Sequence, residues 1–375
     1  TSTGSGVAWE NAASGGASAI NDLSDAKTFG TSSIMLGDAT TGTINAADYN
    51  TGLGIDVFAA LTSGDNNVAI GFAVLDACSV GTYNTGVGTS ALSAIVSGDS
   101  NTAVGDSALA ANTASYNTAV GKDALKANTS GASNVAMGRN ALDSNTEGDH
   151  SVAIGTSALS TNVTAHRNTA VGYEALKVSN VSGDTNASNT AVGFHAGVAT
   201  TTGKANVFIG SQAGDGNTTG HYNTGVGLGA LGGSLEADSN TAVGYLALTA
   251  NTTGTLNTAV GVSALAANTT ANSNTAIGDI ALTTNTTGAA NVAVGRNALG
   301  ANTTASNNVA VGHGALESNT EGHSNTALGH QAAATVTTGD ENTAVGHGSM
   351  QSMAAGNNGN TAVGTDTMAD ANYDG

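Results

Sequence analysis

The chain has 375 residues, a net charge of −19, and 53 Gly, no Pro and only 3% aromatic residues against 39% hydrophobic ones. A globular core needs large side chains, which are scarce here, so any core must be thin. The acidic charge excludes nucleic acid as an expected partner. No stretch approaches 18 apolar residues, so we expect no membrane insertion. Cys78 is the only cysteine, so no intrachain disulfide can form.

Residues 1–32 come first and follow no repeat. We expect this segment, which includes Trp9, to cap the structure or to dock it to a preceding component. The reason is that the end of a stack of strands exposes unpaired backbone groups, which need some cover.

Residues 33–364 contain 20 copies of the pentapeptide Asn-Thr-Ala-Val-Gly or a close variant. Of the 19 intervals between copies, 16 are 17 residues long; the others are 16 (Asn101 to Asn117), 21 (Asn168 to Asn189) and 18 (Asn342 to Asn360). A 17-residue unit is too short for a propeller blade or a helix pair, so it predicts an all-β parallel β-solenoid, or β-roll, of about 20 coils. The long interval predicts a loop near residues 178–186. We expect residues 365–375 to form a C-terminal tail.

The unit is well displayed by residues 240–256, Asn-Thr-Ala-Val-Gly-Tyr-Leu-Ala-Leu-Thr-Ala-Asn-Thr-Thr-Gly-Thr-Leu, in which the first Asn is position 0. Positions 0 to 4 predict a short strand with positions 1 and 3 on one face, and we expect position 3 to point inward. The Ala-Leu pair at positions 7 and 8 predicts a second short strand. The Gly at position 4 and the Asn-Thr-Thr-Gly segment predict turns.

The predicted core therefore consists of branched side chains at position 3 and leucines at position 8. These are Val104, Val120, Ile154, Val171, Val243, Val260, Ile277, Val294, Val311, Leu109, Leu248, Leu265 and Leu299. Position 4 is Gly in every copy, which indicates that the same backbone site is rebuilt in each coil. Its members include Gly105, Gly121, Gly155, Gly244, Gly261, Gly295 and Gly312.

Stacking the coils about 4.8 Å apart places equivalent side chains in columns. The Asn at position 0 is then expected to form a column of amides. His313, His330 and His347 occupy position 5 of three successive coils, and a column of imidazoles predicts a divalent-metal site. Exposed surface decoration is the alternative. No Walker, dinucleotide or nucleophile motif is present, so we predict no catalytic residue, no cofactor and no enzymatic activity.

The coil offers few large side chains for burial. Each coil buries about two large aliphatic side chains, and the free energy that this burial contributes barely offsets the entropic cost of ordering 17 residues. The residues at positions 2 and 4 are small, and we expect their face to let another chain approach closely. A parallel homotrimer is therefore predicted, with a free-standing monomeric solenoid as the alternative.

These units, in which Asn-Thr-Ala-Val-Gly precedes Ala-Leu and Asn-Thr-Thr-Gly, resemble the repeats of phage tail-fibre proteins. They are also similar in kind to the Ser-Val-Ala-Ile-Gly repeats of trimeric autotransporter adhesin heads, a motif that stands at residues 151–155. Residues 20–27 resemble the lead-in to such repeats in phage fibres. The resemblance covers roughly residues 20–364 and implies a left-handed parallel β-roll and a trimer, although the adhesin unit is shorter than 17 residues.

Three functions from different classes fit these features. The resemblance favours a tail-fibre shaft or receptor-binding fibre of a virion, with other virion components at its N-terminus and a host surface glycan or protein as receptor. A bacterial adhesin head at the cell surface is the alternative, which a membrane anchor and coiled-coil stalk in the complete gene would distinguish. An ice-binding solenoid is the third, and a thermal hysteresis assay would distinguish it.

Overall fold

The computed structural model describes residues 26–29, 32–37, 46–180, 186–233, 236–351, 353 and 356–368. They fall into two units, residues 1–147 and residues 148–375. The described residues form strands and turns without a helix, so none of them belongs to a helix able to cross a bilayer. The predictions for Trp9, for the tail beyond residue 368 and for the middle of the loop, residues 181–185, lie outside the described residues.

Each unit is a stack of β-coils. The strands of the first unit are β1 (Ala26–Phe29), β2 (Ser33–Gly37), β3 (Thr51–Ile55), β4 (Val68–Phe72), β5 (Thr85–Thr89), β6 (Thr102–Val104), β7 (Thr118–Val120) and β8 (Val135–Met137). The pair β1 and β2 is antiparallel, whereas from β2 to β8 each strand pairs in parallel with the strand of the next coil.

The second unit repeats this parallel pairing without a break. Its strands are β9 (Val152–Ile154), β10 (Thr169–Val171), β11 (Thr190–Val192), β12 (Val207–Ile209), β13 (Thr224–Val226), β14 (Thr241–Val243), β15 (Thr258–Val260), β16 (Thr275–Ile277), β17 (Val292–Val294), β18 (Val309–Val311), β19 (Thr326–Leu328), β20 (Thr343–Val345) and β21 (Thr361–Val363). Thr258 pairs with Thr275, one repeat further on. The predicted parallel β-solenoid, with one repeat per coil, is confirmed.

The interior of a coil is built from positions 0, 2, 7, 8 and 11. In the coil that begins at Asn240, the side chains of Asn240, Ala242, Ala247, Leu248 and Asn251 are all fully buried. The leucines predicted as core residues are buried as expected: Leu109, Leu248, Leu265 and Leu299. Ala and Leu together therefore fill the thin core that the composition requires.

The predicted orientation of the strand is wrong. Position 2 points inward and position 3 outward, so that Ala242 is buried while Val243 is 37% exposed. Of the other valine-type residues predicted as core, Val104, Ile154 and Ile277 are exposed, and Val120, Val171, Val260, Val294 and Val311 are of intermediate exposure.

The reason for this orientation is the width of the coil. A Cβ placed on Gly225, a position-2 residue, would lie 3.4 Å from the Leu231 side chain at position 8 of the same coil. The two positions therefore face each other across the interior. One Leu and one Ala fill that space, and a branched side chain in place of the Ala would overpack it.

Each described coil contains one strand rather than two. The Ala-Leu segment, which the sequence predicts as a second strand, is a series of turns in the structure. Its leucine takes a left-handed conformation, with φ of 51° at Leu248 and 52° at Leu265. This conformation costs an L-residue about 1–2 kcal/mol, but it bends the backbone tightly enough for the leucine to reach the interior.

Two columns of buried asparagines join the coils. Asn257 Nδ2 donates to the carbonyl of Ala271 in its own coil at 2.8 Å, and Asn257 Oδ1 accepts the backbone N–H of Asn274 in the next coil at 2.9 Å. The amide column predicted at position 0 is thereby confirmed. At position 11, Asn268 Nδ2 donates to Asn251 Oδ1 at 2.9 Å. The two bonds of Asn257 satisfy backbone groups that would otherwise be left unpaired.

The position-4 glycine occupies a conformation closed to other residues. Its φ lies between 127° and 142° in all 20 copies. A Cβ on Gly261 would also lie 2.6 Å from the carbonyl carbon of Gly278 in the next coil. The prediction of one recurring backbone site is confirmed, and the site requires Gly because both the dihedral angle and the spacing of the coils exclude a side chain.

Candidate interaction surface

The strands present an apolar outer face, which we define as the side chains at positions 1, 3 and 5. In the second unit, position 3 holds only Val, Ile or Leu in all 13 strands, and position 1 holds Thr or Val. The side chains at position 3 are all at least partly exposed. Leu328 is 49% exposed, and Val363 in the last strand is 67% exposed. Position 3 of the outer face is thus an uninterrupted column of branched aliphatic side chains.

The outer face is large for a surface exposed by a single chain. Thirteen parallel strands about 4.8 Å apart, each three residues long, give it a flat area of roughly 600 Å². Monomeric soluble proteins rarely expose a contiguous apolar patch larger than a few hundred Å² without using it for an interaction. The Thr side chains at position 1 form its polar border.

Position 5 extends the apolar surface over part of the second unit. Tyr173 and Phe194 stack with ring centroids 5.6 Å apart and planes 12° apart. After Ser211, which interrupts the series, Leu228, Tyr245 and Val262 stand at the same position and are all exposed. The rings of Tyr173 and Phe194 support each other at a distance favourable for stacking.

Beyond Val262 the position-5 column becomes charged. Asp279 Oδ2 accepts a hydrogen bond from Arg296 Nε at 3.3 Å, and Arg296 Nη1 lies 3.3 Å from His313 Nε2. The rings of His313, His330 and His347 then stack with centroids 5.2 Å and 5.1 Å apart and planes within 11° of parallel. The predicted histidine column is present.

The stacking of these imidazoles bears on the metal prediction. The lone pair of an imidazole nitrogen lies in the plane of its ring, so parallel stacked rings do not direct their lone pairs at one point, whereas a zinc site needs nitrogens about 2.0–2.1 Å from one ion. Within the part of the chain that the structure describes, no group of three or more His, Cys, Asp or Glu is arranged to hold a metal ion. The metal site stays a prediction, and zinc titration against a His347→Ala variant tests it.

In the first unit, positions 3 and 5 carry a shorter apolar stretch. Leu53, Ile55 and Phe72 are exposed near its beginning. At position 5 further along, Lys122 Nζ lies 2.9 Å from Asp106 Oδ2. The ammonium group donates to this carboxylate and lowers the pKa of Asp106, and the carboxylate in turn raises the pKa of Lys122. Both side chains are solvent-exposed, so this pair contributes little to stability.

A shallow polar cavity of about 180 Å³ lies at the end of the loop predicted near residues 178–186, and the sequence did not predict a site there. It is lined by Asp149, His150, His166, Arg167 and Asn186. The backbone N–H of Asp149 donates to His166 Nδ1 at 2.9 Å, and His166 pairs with Asn186 in an isolated parallel bridge. The only signal in the sequence is the irregular interval between Asn168 and Asn189.

Comparisons with known proteins do not assign this chain to a family. No protein-family model matches the chain, and no curated protein matches it.

Proposed function

We propose that this chain is a structural fibre protein, a tail-fibre shaft or receptor-binding fibre of a phage, that assembles as a parallel homotrimer and mediates attachment to a host cell. The observation that supports the proposal most is the apolar outer face. Three copies that meet through this face would bury it, and the repeated coil would supply the same contact at every level.

The direction of the strands favours parallel association. Strands β9 to β21 all run the same way, with one position-3 side chain per coil. Parallel copies arranged around a common axis would therefore repeat the same contacts at each level of the stack. The resemblance to trimeric fibres selects three copies. The contact face is the valine face, not the Ala and Gly face expected from the sequence, because the alanines are buried inside the coil.

The composition of the outer face suits an interface. Its centre is aliphatic, and its borders carry Thr at position 1 and polar residues at position 5 between Asp279 and His347. A hydrophobic centre surrounded by a polar rim is the usual anatomy of a protein interface. The face of roughly 600 Å² on the second unit approaches the 800 Å² per partner that stable complexes commonly bury.

The proposal is tested by measuring the mass of the assembly with light scattering and its symmetry with electron microscopy. We expect three chains and threefold symmetry for the wild-type protein. The variant Ile277→Asp places a charge in the outer face and is expected to dissociate the assembly while the β-sheet circular dichroism remains. Thr287→Asp, an exposed change in the same coil outside the strand, is the matched control and should stay trimeric. A monomeric wild-type protein would refute the proposed assembly.

A further inference from the structure

Exposed tyrosines recur at one position in the first unit, the residue directly before the position-0 asparagine. Tyr49, Tyr83 and Tyr116 stand there in every second coil, and their exposed fractions are 56%, 64% and 65%. The coils between them carry Asn66 and Ser100. The chain has only seven tyrosines, and four of them, including Tyr222 in the second unit, occupy this position.

Backbone hydrogen bonds hold these residues in register. The N–H of Tyr83 donates to the carbonyl of Asp65 in the preceding coil at 3.0 Å, and the N–H of Tyr116 donates to that of Asp99 at 3.0 Å. The intervening Asn66 makes the same bond to Asp48. Because successive coils are about 4.8 Å apart, neighbouring tyrosines are about 9.5 Å apart. They form a ladder of evenly spaced rings.

The fold does not account for these tyrosines. All three have left-handed φ angles, of 60°, 57° and 65°, a conformation that disfavours aromatic residues and suits Asn. A spacing of about 9.5 Å also exceeds the 4.5–7 Å over which rings stack on each other. They are therefore strained and exposed, and they do not support one another. Tyr173 and Phe194, in adjacent coils, do stack.

Evenly spaced, rigid aromatic side chains suit a ligand with a matching repeat. A tyrosine ring offers a large contact face at a low cost in conformational entropy, and the apolar face of a pyranose ring packs against it. An extended chain of equatorially linked pyranoses covers the distance between two of these tyrosines in two sugar residues. Every second sugar would then stack on a tyrosine.

The negative charge around the tyrosines limits which class of polysaccharide can bind there. Residues 46–121 include six Asp and no Lys, Arg or His, so an anionic polysaccharide would be repelled. Asp65 Oδ1 accepts from the backbone N–H of Asp48 at 2.7 Å, and Asp99 Oδ1 accepts from that of Thr82 at 2.8 Å. A carboxylate has about four acceptor sites, so these fixed groups retain acceptor capacity for sugar hydroxyls.

We propose that Tyr49, Tyr83 and Tyr116 form a binding site for an uncharged, extended polysaccharide of equatorially linked pyranoses. This inference rests on the proposed attachment function and names the chemical class of the receptor. The binding site lies on the surface of one coil stack, so binding and trimer assembly are measured separately.

The test is calorimetric titration of the full chain with cellohexaose and chitohexaose, which are extended and uncharged, and with maltohexaose, whose chain is curved. We expect binding of at least one extended oligosaccharide and none of maltohexaose. The variant Tyr49→Asn/Tyr83→Asn/Tyr116→Asn should lose roughly tenfold or more in affinity, since aromatic stacking commonly carries this much. Its melting temperature should stay equal or rise, because Asn tolerates the left-handed conformation. Tyr222→Asn, at the same position without a tyrosine two coils away, is the matched control and should bind like the wild-type protein.

Two results would overturn the site. One is the absence of binding to both extended oligosaccharides, and the other is unchanged affinity in the triple variant. Light scattering on the same samples separates this outcome from failure of the proposed function: a trimer that binds no oligosaccharide refutes only the tyrosine site, whereas a monomer that binds cellohexaose or chitohexaose refutes only the trimeric fibre.

Discussion

Phe208 and Gly214 share one space inside their coil. Phe208 stands at position 2, where most coils have Ala, and Gly214 stands at position 8, where most have Leu. A Cβ on Gly214 would overlap the Phe208 ring, and one on Gly197, at position 8 of the preceding coil, would lie 2.9 Å from Phe208 Cδ2. In this coil the large side chain lies at position 2 instead of position 8, and the filled volume of the interior stays about the same, as close packing requires.

This relationship predicts a strong energetic coupling between the two residues. Gly214→Leu alone should overpack the coil and cost about 1–3 kcal/mol or more, and Phe208→Ala alone should leave a cavity and cost about 3–5 kcal/mol. The double variant restores the common Ala and Leu arrangement, and φ of 59° at Gly214 is close to the 51° of Leu248. We expect the double variant to lose about 2 kcal/mol less than the sum of the single ones in urea unfolding. Additive losses would show that the residues do not share the interior.

The position-4 glycines should resist substitution. Gly261→Ala forces a side chain to φ of 135° and toward the backbone of Gly278, so we expect a loss of about 3 kcal/mol or more in the free energy of unfolding. Gly314 provides the control. Its φ is 63°, and Asn297, at the same position of the preceding coil, adopts a similar φ of 57°. Gly314→Asn should therefore cost less than about 1 kcal/mol. Equal losses for the two variants in denaturant titrations would contradict this account.

Substitutions in the buried amide column should reduce stability in proportion to the hydrogen bonds that they remove. Asn257→Ala removes the acceptor of the Asn274 N–H and one of two donors to the carbonyl of Ala271, which keeps Asn268 Nδ2 at 3.1 Å. A buried group left unpaired costs about 1–3 kcal/mol. Asn257→Ser should cost less, because Ser151 at the same position still accepts the N–H of Asn168 through its Oγ at 3.3 Å. Thermal unfolding should rank stability as wild type, then Ser, then Ala. A Ser variant less stable than the Ala variant would contradict this assignment.

Cys78 should be chemically inert in the folded chain. It is fully buried at position 11, and desolvation raises the pKa of its thiol to about 11. At pH 8 only about one molecule in a thousand then carries a thiolate, against roughly a quarter for an unperturbed thiol with a pKa near 8.5. Alkylation by iodoacetamide should be at least about 100-fold slower in native buffer than in guanidinium chloride.

The raised pKa of the Cys78 thiol also determines how the free energy of unfolding changes with pH. Because the folded pKa lies above the unfolded one, the unfolded chain loses its proton first as pH rises. The stability contributed by the neutral thiol is therefore complete below about pH 8.5 and declines toward pH 11. Cys78→Ser should lack this part of the decline, since serine does not titrate there. Rapid alkylation of the native protein would contradict the burial of Cys78.

The sequence sufficed to predict the coil and its register, because a period of 17 residues with Gly at one position admits few folds. It misplaced Val243 because hydrophobicity alone predicts that valine lies inside, whereas the width of the coil and the hydrogen bonds of Asn240 decide which face turns inward. It predicted a strand at Leu248 because an apolar pair resembles one, and nothing in the residue type indicates the left-handed turn. The histidine column could be predicted, because its members are spaced one repeat apart. It missed the tyrosine ladder because the tyrosines alternate with Asn66 and Ser100.

Two neighbours in one strand test the central claim that alanine lies inside and valine outside. Ala259 is fully buried and Val260 is only of intermediate burial, and Leu328 stands at the position of Val260 in another coil. Urea unfolding of Ala259→Leu and Val260→Leu at equal protein concentration should show a loss of about 1–3 kcal/mol or more for the first, from overpacking, and less than about 0.5 kcal/mol for the second. A larger loss for Val260→Leu than for Ala259→Leu would mean that the strand faces the other way.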